Sequence, residues 1–335
     1  MELDFKAVQI IKGDSTTPRL VEIKLGALKK REVLIKVHYS SINFKDYLAL
    51  THQAPILRKD TLIGGIDFCG EVIQSESPDF KTGDRVIGMG HDLSEKFDGG
   101  YSEYVWEDAA HLTLLPHKLS SREAMIIGTA GFTAMLAVHM LESPSLQPDE
   151  QEKVIAVSGA TGGVGMIASI ILKSKGYIID ALVRNSTQLS QLPKKPFRNI
   201  IDIESLDVSN PLNKETYSGC IDNLGGEVLK WMLSVTSAWG KVISIGLASN
   251  AKFDATVYPF ILRGINLQGL QLNIPKKLRD KLWYQLAEHI DRSALDTILN
   301  QEITLSELPI FIKESYPTKG AGRVIVKVTG DQLAG

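Results

Sequence analysis

The sequence predicts an α/β fold built from two units, a strand-rich barrel-like unit and a doubly wound parallel sheet. Three observations carry this. Residues 153–165 read Lys153-Val-Ile-Ala-Val-Ser-Gly159-Ala-Thr-Gly162-Gly163-Val164-Gly165, and an apolar, helix-periodic segment, 166–175, follows and is closed by Gly176. Strand, glycine turn, helix and C-cap glycine in that order begin a βαβ unit of the dinucleotide-binding kind. From 177 to 290, strand-like and helix-like stretches alternate, which argues a parallel sheet with its ligand at the carboxyl ends of the strands. Residues 1–118 instead carry short strand patterns broken by glycine, proline and Asp/Ser/Thr clusters, as a barrel requires.

In the first unit, 5–11, 21–25 and 32–41 read as strands. The last of these leads into a helix over 44–50 with Asn43 as N-cap. Further strands are expected at 70–74, 85–88 and 101–106. In the second unit one helix is expected from 121 to 141, capped by Ser120 or Ser121 with Glu123 in its first turn. After the glycine loop come strands at 177–183, 200–203, 218–222 and 240–246, helices at 227–236, 258–263 and 276–290, and a last strand at 265–272. The tail holds a short helix at 306–316 and a strand from Arg323 that suits the first unit's sheet. The second unit is then an insertion: 1–120 with 297–335 form one domain, and 121–296 the other.

The chain has 335 residues, 44% hydrophobic and 23% charged, enough to bury two ordinary globular cores. A net charge of −2 and the lack of a basic stripe give no electrostatic reason for a nucleic acid or an anionic membrane as partner. No apolar run of membrane-spanning length is expected. The start, Met1-Glu-Leu-Asp-Phe-Lys, lacks a secretory apolar region, so the cytoplasm is the expected location. Cys69 and Cys220 stand far apart and outside any C-x-x-C pair. Both are expected to be buried small side chains, which leaves no Cys-rich zinc site.

Several features each admit two readings. The glycine stretch is G-x-x-G-G-x-G, not G-x-G-x-x-G, and a plain strand–turn–helix is the alternative to a phosphate cradle. Asn43-Phe44-Lys45-Asp46 is either a helix cap with a solvated acid or part of a site. Asp67, in an apolar run, must find hydrogen bonds, as an acceptor for nearby backbone N–H groups or as an active-site group. Arg58-Lys59 is a solvated loop or a phosphate anchor. Gly128, Thr129, Gly131 and Thr133 inside a helix cost stability, so a packed sheet or a cofactor must need close approach or hydroxyls there. Cofactor choice turns on the end of the second parallel strand, Val183-Arg184-Asn185. An acid there would bind the NAD ribose, whereas Arg184 suits the 2′-phosphate of NADPH. Asp180 lies three residues earlier, within the strand.

Together these residues resemble the medium-chain dehydrogenase/reductase superfamily over essentially the full length, and within it the zinc-free quinone oxidoreductases of the acrylyl-CoA reductase branch. The resemblance is carried by Ser41-Ile-Asn43-Phe44-Lys45-Asp46, Gly65-Ile-Asp67-Phe, Ala124-Met-Ile-Ile-Gly-Thr-Ala-Gly-Phe-Thr-Ala134, Gly159-Ala-Thr-Gly-Gly-Val-Gly165, Tyr258-Pro-Phe-Ile-Leu-Arg263 and Gly322-Arg323-Val. It implies a GroES-like catalytic domain and a Rossmann cofactor domain. It implies that Phe44, Thr133, Thr161, Gly162, Gly163, Val164, Val183, Arg184, Asn185, Leu247, Ile261, Leu272 and Arg323 lie along NADPH. Where the zinc alcohol dehydrogenases of the superfamily carry a Cys and a Gly-His-Glu, this chain has Asn43 and Gly65-Ile66-Asp67, so no metal is expected. Position 44 is Phe where the branch usually has Tyr.

The expected chemistry therefore needs an acceptor that is already electrophilic. The first expectation is NADPH-dependent reduction of an α,β-unsaturated acyl-CoA, acrylyl-CoA leading. Asn43 would donate to the thioester oxygen, Tyr47 or water would supply the proton, Asp46 would orient its surroundings and Arg58 would hold a CoA phosphate. A quinone or enone reductase is the alternative on the same fold, and a non-catalytic NADPH sensor the alternative in another class. The apolar segment 265–272 at a sheet edge predicts a homodimer.

Overall fold

The computed structural model describes residues 3–16, 18–144, 153–184, 197–316 and 320–330. Strands β1 (Asp4–Ile11), β2 (Arg19–Lys24) and β4 (Thr61–Ile63) make a small antiparallel sheet in the order β2-β1-β4. A seven-stranded sheet has at its centre β3 (Val33–Ile42), a run of β-branched and leucine residues buried over most of its length because both faces are covered. Antiparallel β5 (Asp67–Ser75), β6 (Arg85–Met89) and β8 (Leu112–Leu114) extend it on one side, and β7 (Tyr104–Glu107) also pairs with β3. On the other side β3 pairs with β16 (Arg323–Lys327), which runs parallel to β15 (Leu299–Thr304). The end of the chain thus closes a sheet begun at its start, as expected from Arg323 onward.

The third sheet is wholly parallel. It contains β9 (Val154–Ser158), β10 (Ile178–Val183), β11 (Asn199–Asp202), β12 (Tyr217–Asp222), β13 (Thr236–Ser244) and β14 (Asn266–Gly269), in the order β11-β10-β9-β12-β13-β14. That is the doubly wound order, with its reversal between β9 and β12. The helices are α1 (Phe44–Leu50), α2 (Ser121–Leu141), α3 (Gly163–Ser174), α4 (Gly226–Val235), α5 (Tyr258–Arg263), α6 (Lys276–His289), α7 (Arg292–Ile298) and α8 (Leu308–Glu314).

Helix α2 connects the two large sheets. It touches β3 and β5 on one side and α3 and α6 on the other. Ser120 caps it in a capping box with Glu123, whose carboxylate also takes both ends of the Arg292 guanidinium at 2.7 and 2.8 Å. Two expectations change here. The segment is two helices joined at Gly128, which adopts φ 52° and ψ −158°. It is also long and apolar enough, by length and composition, to cross a membrane, but 83% of that stretch is buried inside the fold, where it is the central core helix.

Other departures lie at edges. Helix α7 and strand β15 were not expected; β15 exposes most of its polar residues and buries Ile303, so its pattern is faint. Strand β14 is four residues long and largely exposed. Cys69 and Cys220 are buried and free.

Candidate active site

Three neighbouring elements bring the candidate polar residues to one place. β3 ends at Ile42 and hands the chain to α1 through Asn43. β5 begins at Asp67, and α2 breaks at Gly128 beside both. Asp67 is fully buried and accepts from Ser41 N (3.0 Å), Ser41 Oγ (2.7 Å), Asn43 Nδ2 (2.9 Å), Thr129 N (2.9 Å) and Thr129 Oγ1 (2.7 Å). It satisfies two backbone N–H groups, and three side chains converge on it as well. Gly128 is required at this point by space as well as by φ. A Cβ there would lie 2.7 Å from both Arg323 Nη2 and Ser41 Oγ and 3.0 Å from Asp67 Oδ2.

Asp46 lies one step away. Its carboxylate accepts from Asn43 N (3.0 Å), Asn43 Nδ2 (3.2 Å) and Ile66 N (3.0 Å). Burial, and then the Asp67 charge, push its carboxyl up to about 7, against partial lowering by the Asn43 and Ile66 donors. The Asn43 amide therefore bridges two buried carboxylates, and its Oδ1 accepts from Arg323 Nη1 at 3.1 Å. This corrects the expectation for Asn43. With its Nδ2 hydrogens turned to Asp46 and Asp67, it has none left for a substrate oxygen in this arrangement. The amide fixes the geometry around it.

Asp46 has a testable pH signature. A carboxyl whose folded-state value is raised from 3.8 to about 7 favours folding in its protonated form. Its stabilising contribution is complete below about pH 4 and is lost as pH rises through about 7. Unfolding free energy from urea titrations at pH 5 and pH 8 is expected to fall more steeply with pH in the natural chain than in Asp46→Asn. Parallel slopes would contradict the assignment.

Arg323 is buried and spends its guanidinium on protein acceptors. It donates to Ile126 O (3.1 Å), Ile42 O (3.2 Å), Asn43 Oδ1 (3.1 Å) and Ser41 Oγ (2.6 Å). It ties β16 to the end of β3 and to α2, and a Cβ on Gly163 would meet its Cδ at 2.6 Å. Gly322 N donates to Thr161 O at 3.1 Å. The polar cluster and the glycine loop are therefore in direct contact.

The glycine loop fits a dinucleotide phosphate. It follows β9 at the reversal point of the sheet, and no side chain caps the first turn of the twelve-residue helix α3 behind Gly162, so its N–H groups and dipole face outward. A Cβ on Gly165 would lie 2.5 Å from Gly159 O, so the helix sits as close to the strand as only glycine allows. Across the reversal point, Asp222 accepts from Ser158 Oγ (2.8 Å) and from the N–H groups of Leu224 and Gly225. Asn223 donates from Nδ2 to Ser158 O (2.7 Å), and its Oδ1 is buried with no partner among the described residues. Sequence reasoning missed Asn223 because an Asn after a strand reads as a turn residue.

The remaining candidates are scattered around this centre. Thr161 and Gly162 lie in the loop, and Gly163 and Val164 open α3. Thr133 donates to Thr129 O within α2. Val183 is buried at the end of β10, and Arg184 beside it is exposed; Asn185 lies outside the described residues. Asp180 is consumed inside the sheet by Arg198, Asn199 and Tyr217. Leu247 is exposed in the loop after β13, and Leu272 packs against the large core beyond β14. Ile261 stands apart: it lies on α5, whose Arg263 is anchored to Ser234 O and Thr236 O at the amino end of β13. Tyr47 stacks between Phe44 and Tyr316, at 6.2 and 5.2 Å, and accepts from Gln53 Nε2. Arg58 is exposed, and its backbone N–H donates to Glu95 O.

Comparison with known proteins gives this arrangement a context. Residues 29–117 match the alcohol dehydrogenase GroES-like domain. Over 328 residues the chain is 38% identical to the Bacillus subtilis protein YhfP, which carries a quinone oxidoreductase name, covering 97% of this chain and 99% of that one. It is 34% identical to the acrylyl-CoA reductase AcuI of Ruegeria pomeroyi over 330 residues, 97% of this chain and 99% of the other. The crystal structure of YhfP with NAD bound superposes with a TM-score of 0.89, covering 97% of this chain and 99% of that one. The yhdH oxidoreductase of Salmonella enterica in complex with NADP does so with a TM-score of 0.89 at 35% identity, at the same coverage.

Proposed function

The chain belongs to the zinc-free quinone oxidoreductase family of the medium-chain dehydrogenase/reductases, the family of the acrylyl-CoA reductases, and from that premise we propose that it is an NADPH-dependent reductase of an α,β-unsaturated acyl-CoA, acrylyl-CoA being the leading substrate. The observation that carries this is the contact between the glycine loop and the Asn43–Asp67–Arg323 cluster. The loop would hold the cofactor pyrophosphate on the N–H groups of α3, and the cluster would wall the reacting end. Bound there, NADPH supplies the hydride for the substrate β-carbon.

The chain's own residues then have distinct tasks. Asp46 and Asp67 hold Asn43, and Asn43 holds Arg323, so the wall is rigid before substrate arrives. Tyr47, whose hydroxyl accepts from Gln53, is the candidate donor to the thioester oxygen or α-carbon. Residues 1–120 with 297–335 would form the catalytic domain, and 121–296 the cofactor domain. Two buried free thiols suit a cytoplasmic location. Steady-state assays with NADPH and a panel of enoyl-CoAs, enones and quinones test the reading. Turnover of quinones with none of any thioester would overturn it.

Quinone or enone reduction is the second reading. The half-exposed Phe44 ring ends the Phe44–Tyr47–Tyr316 ladder and offers a planar acceptor a flat apolar face.

Arg184 supports NADPH over NADH. Arg184→Ala is expected to weaken NADPH binding about tenfold, the worth of one exposed charge-assisted contact, and to leave NADH binding unchanged. Fluorescence titration reads both, and equal effects would return the choice to the loop as a whole.

The chain is also proposed to form a homodimer. Among the described residues strand β14 is an edge of the parallel sheet, and beside it Trp239, Val257, Tyr258 and Leu262 expose large apolar side chains. Light scattering should give twice the 36.8 kDa chain mass; a monomer at micromolar concentration would contradict this.

A further inference from the structure

We propose that the phosphorylated nucleotide end of an acyl-CoA docks against Phe97 between Lys29 and Lys59, well away from the glycine loop. This rests on the acyl-CoA reading and names a second place where that substrate is held.

Three cations from two separate segments converge on one ring. Lys29 Nζ lies 5.9 Å, Lys59 Nζ 5.7 Å and Arg31 Cζ 4.0 Å from the Phe97 centroid. Cations gathered around one ring raise the local positive potential unless something neutralises them. Arg31 is neutralised, with Nη1 2.5 Å from Glu107 Oε1 and Nη2 on Asp108. That guanidinium also fills the one group of carboxylates and histidine, Glu107, Asp108 and His111, whose spacing among the described residues would suit a metal ion. The neighbouring acids are engaged too. Glu76 pairs with Lys30, and Glu32 accepts from Ala109 N at 2.8 Å. Lys29 and Lys59 form no close ion pair among the described residues, although Lys29 acts on Asp108 and Lys59 on Asp98 from further off. A cation–π contact at an exposed site is weak and leaves the ammonium donors free for a phosphate. Lysine meets phosphate as a point charge and needs no fixed fork.

The place has room and a path to the reacting end. Lys29, Arg31 and Phe97 line an open depression of ≈460 Å³ together with Lys30 and the engaged acids Glu32, Glu76 and Asp108, and Lys59 reaches the same ring from outside that lining. Its rim is joined to α1 through Glu95. The Glu95 carboxylate pairs with Lys45, two residues beyond Asn43, and its carbonyl takes the Arg58 N–H at 2.8 Å. Glu95 and Phe97 are separated by at most ~7 Å of chain. A thioester beside α1 would extend its flexible arm past Glu95 and Arg58 toward Phe97, where the ring offers an apolar platform and the two lysines offer charge.

The test compares thioesters with and without the nucleotide. In Lys29→Glu/Lys59→Glu, the KM for acrylyl-CoA is expected to rise about tenfold with kcat unchanged, while acrylyl-pantetheine keeps its KM. In the natural chain the pantetheine ester should have the higher KM, and added salt should shrink that difference. Equal KM values for the two esters, or an equal rise for both in the variant, would overturn the proposal. Calorimetry with free CoA and dephospho-CoA separates this from the reaction itself. Even if no thioester is turned over, CoA binding that needs the 3′-phosphate and is lost in the double variant sustains the site, and no such binding overturns it. A loss of NADPH affinity in the variant would assign the anion to the cofactor instead and also overturn it.

Discussion

Asp67→Ala is expected to cost about 3–5 kcal/mol of unfolding free energy and to abolish activity, a large loss for one side chain. The reason is the number of buried donors it would strand. Ser41 N and Oγ, Asn43 Nδ2, and Thr129 N and Oγ1 all end on this carboxylate, and each buried unsatisfied group costs roughly 1–3 kcal/mol before relaxation. Asp67→Asn keeps the shape and one acceptor oxygen and should lose less. The two variants have a second readout. Since the Asp67 charge is the second cause of the raised Asp46 carboxyl, removing it should move the pH-dependent loss of stability toward acid. An unfolding free energy from urea titration for Asp67→Ala within about 0.5 kcal/mol of the natural chain would remove Asp67 from the centre of the site.

Gly165→Val is expected to weaken NADPH binding at least about a hundredfold and to cost roughly 2–3 kcal/mol of stability by overpacking. A Cβ at this position would sit 2.5 Å from Gly159 O and 2.8 Å from Ala160 Cα, both backbone atoms. No rotamer change relieves that, so α3 must lift from the loop after β9. The N–H groups that would meet the pyrophosphate move with it. Gly26→Ala is the control, because its Cβ meets nothing within 4 Å. Isothermal titration with NADPH and a thermal melt distinguish the two effects. Undiminished affinity in Gly165→Val would mean that the loop does not hold the cofactor.

Much of this was legible in the chain itself. Local signals sit where period and punctuation agree. The β-branched run and glycines around Gly159, the strand ending at Ile42 and the capping box at Ser120 all stand where they were expected. Signals failed where the deciding partner is distant in sequence. The threonines and glycines inside α2 did not reveal whether a sheet or a cofactor called for them. In the fold, Gly128 is a break that admits Arg323 from 195 residues further on, and Thr129 turns to Asp67. Strand β15 was invisible because an exposed edge strand needs little apolar patterning.

Asn43 shows the same limit at the level of chemistry. Its place beside Asp46 is local, and the sequence could offer it as a helix cap or a donor. What its amide does is decided by Asp67 on another strand and Arg323 on the last one. The sequence by itself determined the two large sheets, the glycine loop and the family, because hydrophobic period and turn residues act over a few positions. Only the tertiary structure decided which polar groups are spent on one another and which are left for a ligand. Hydrogen bonds and buried charges are satisfied between groups that the chain brings together from its two ends.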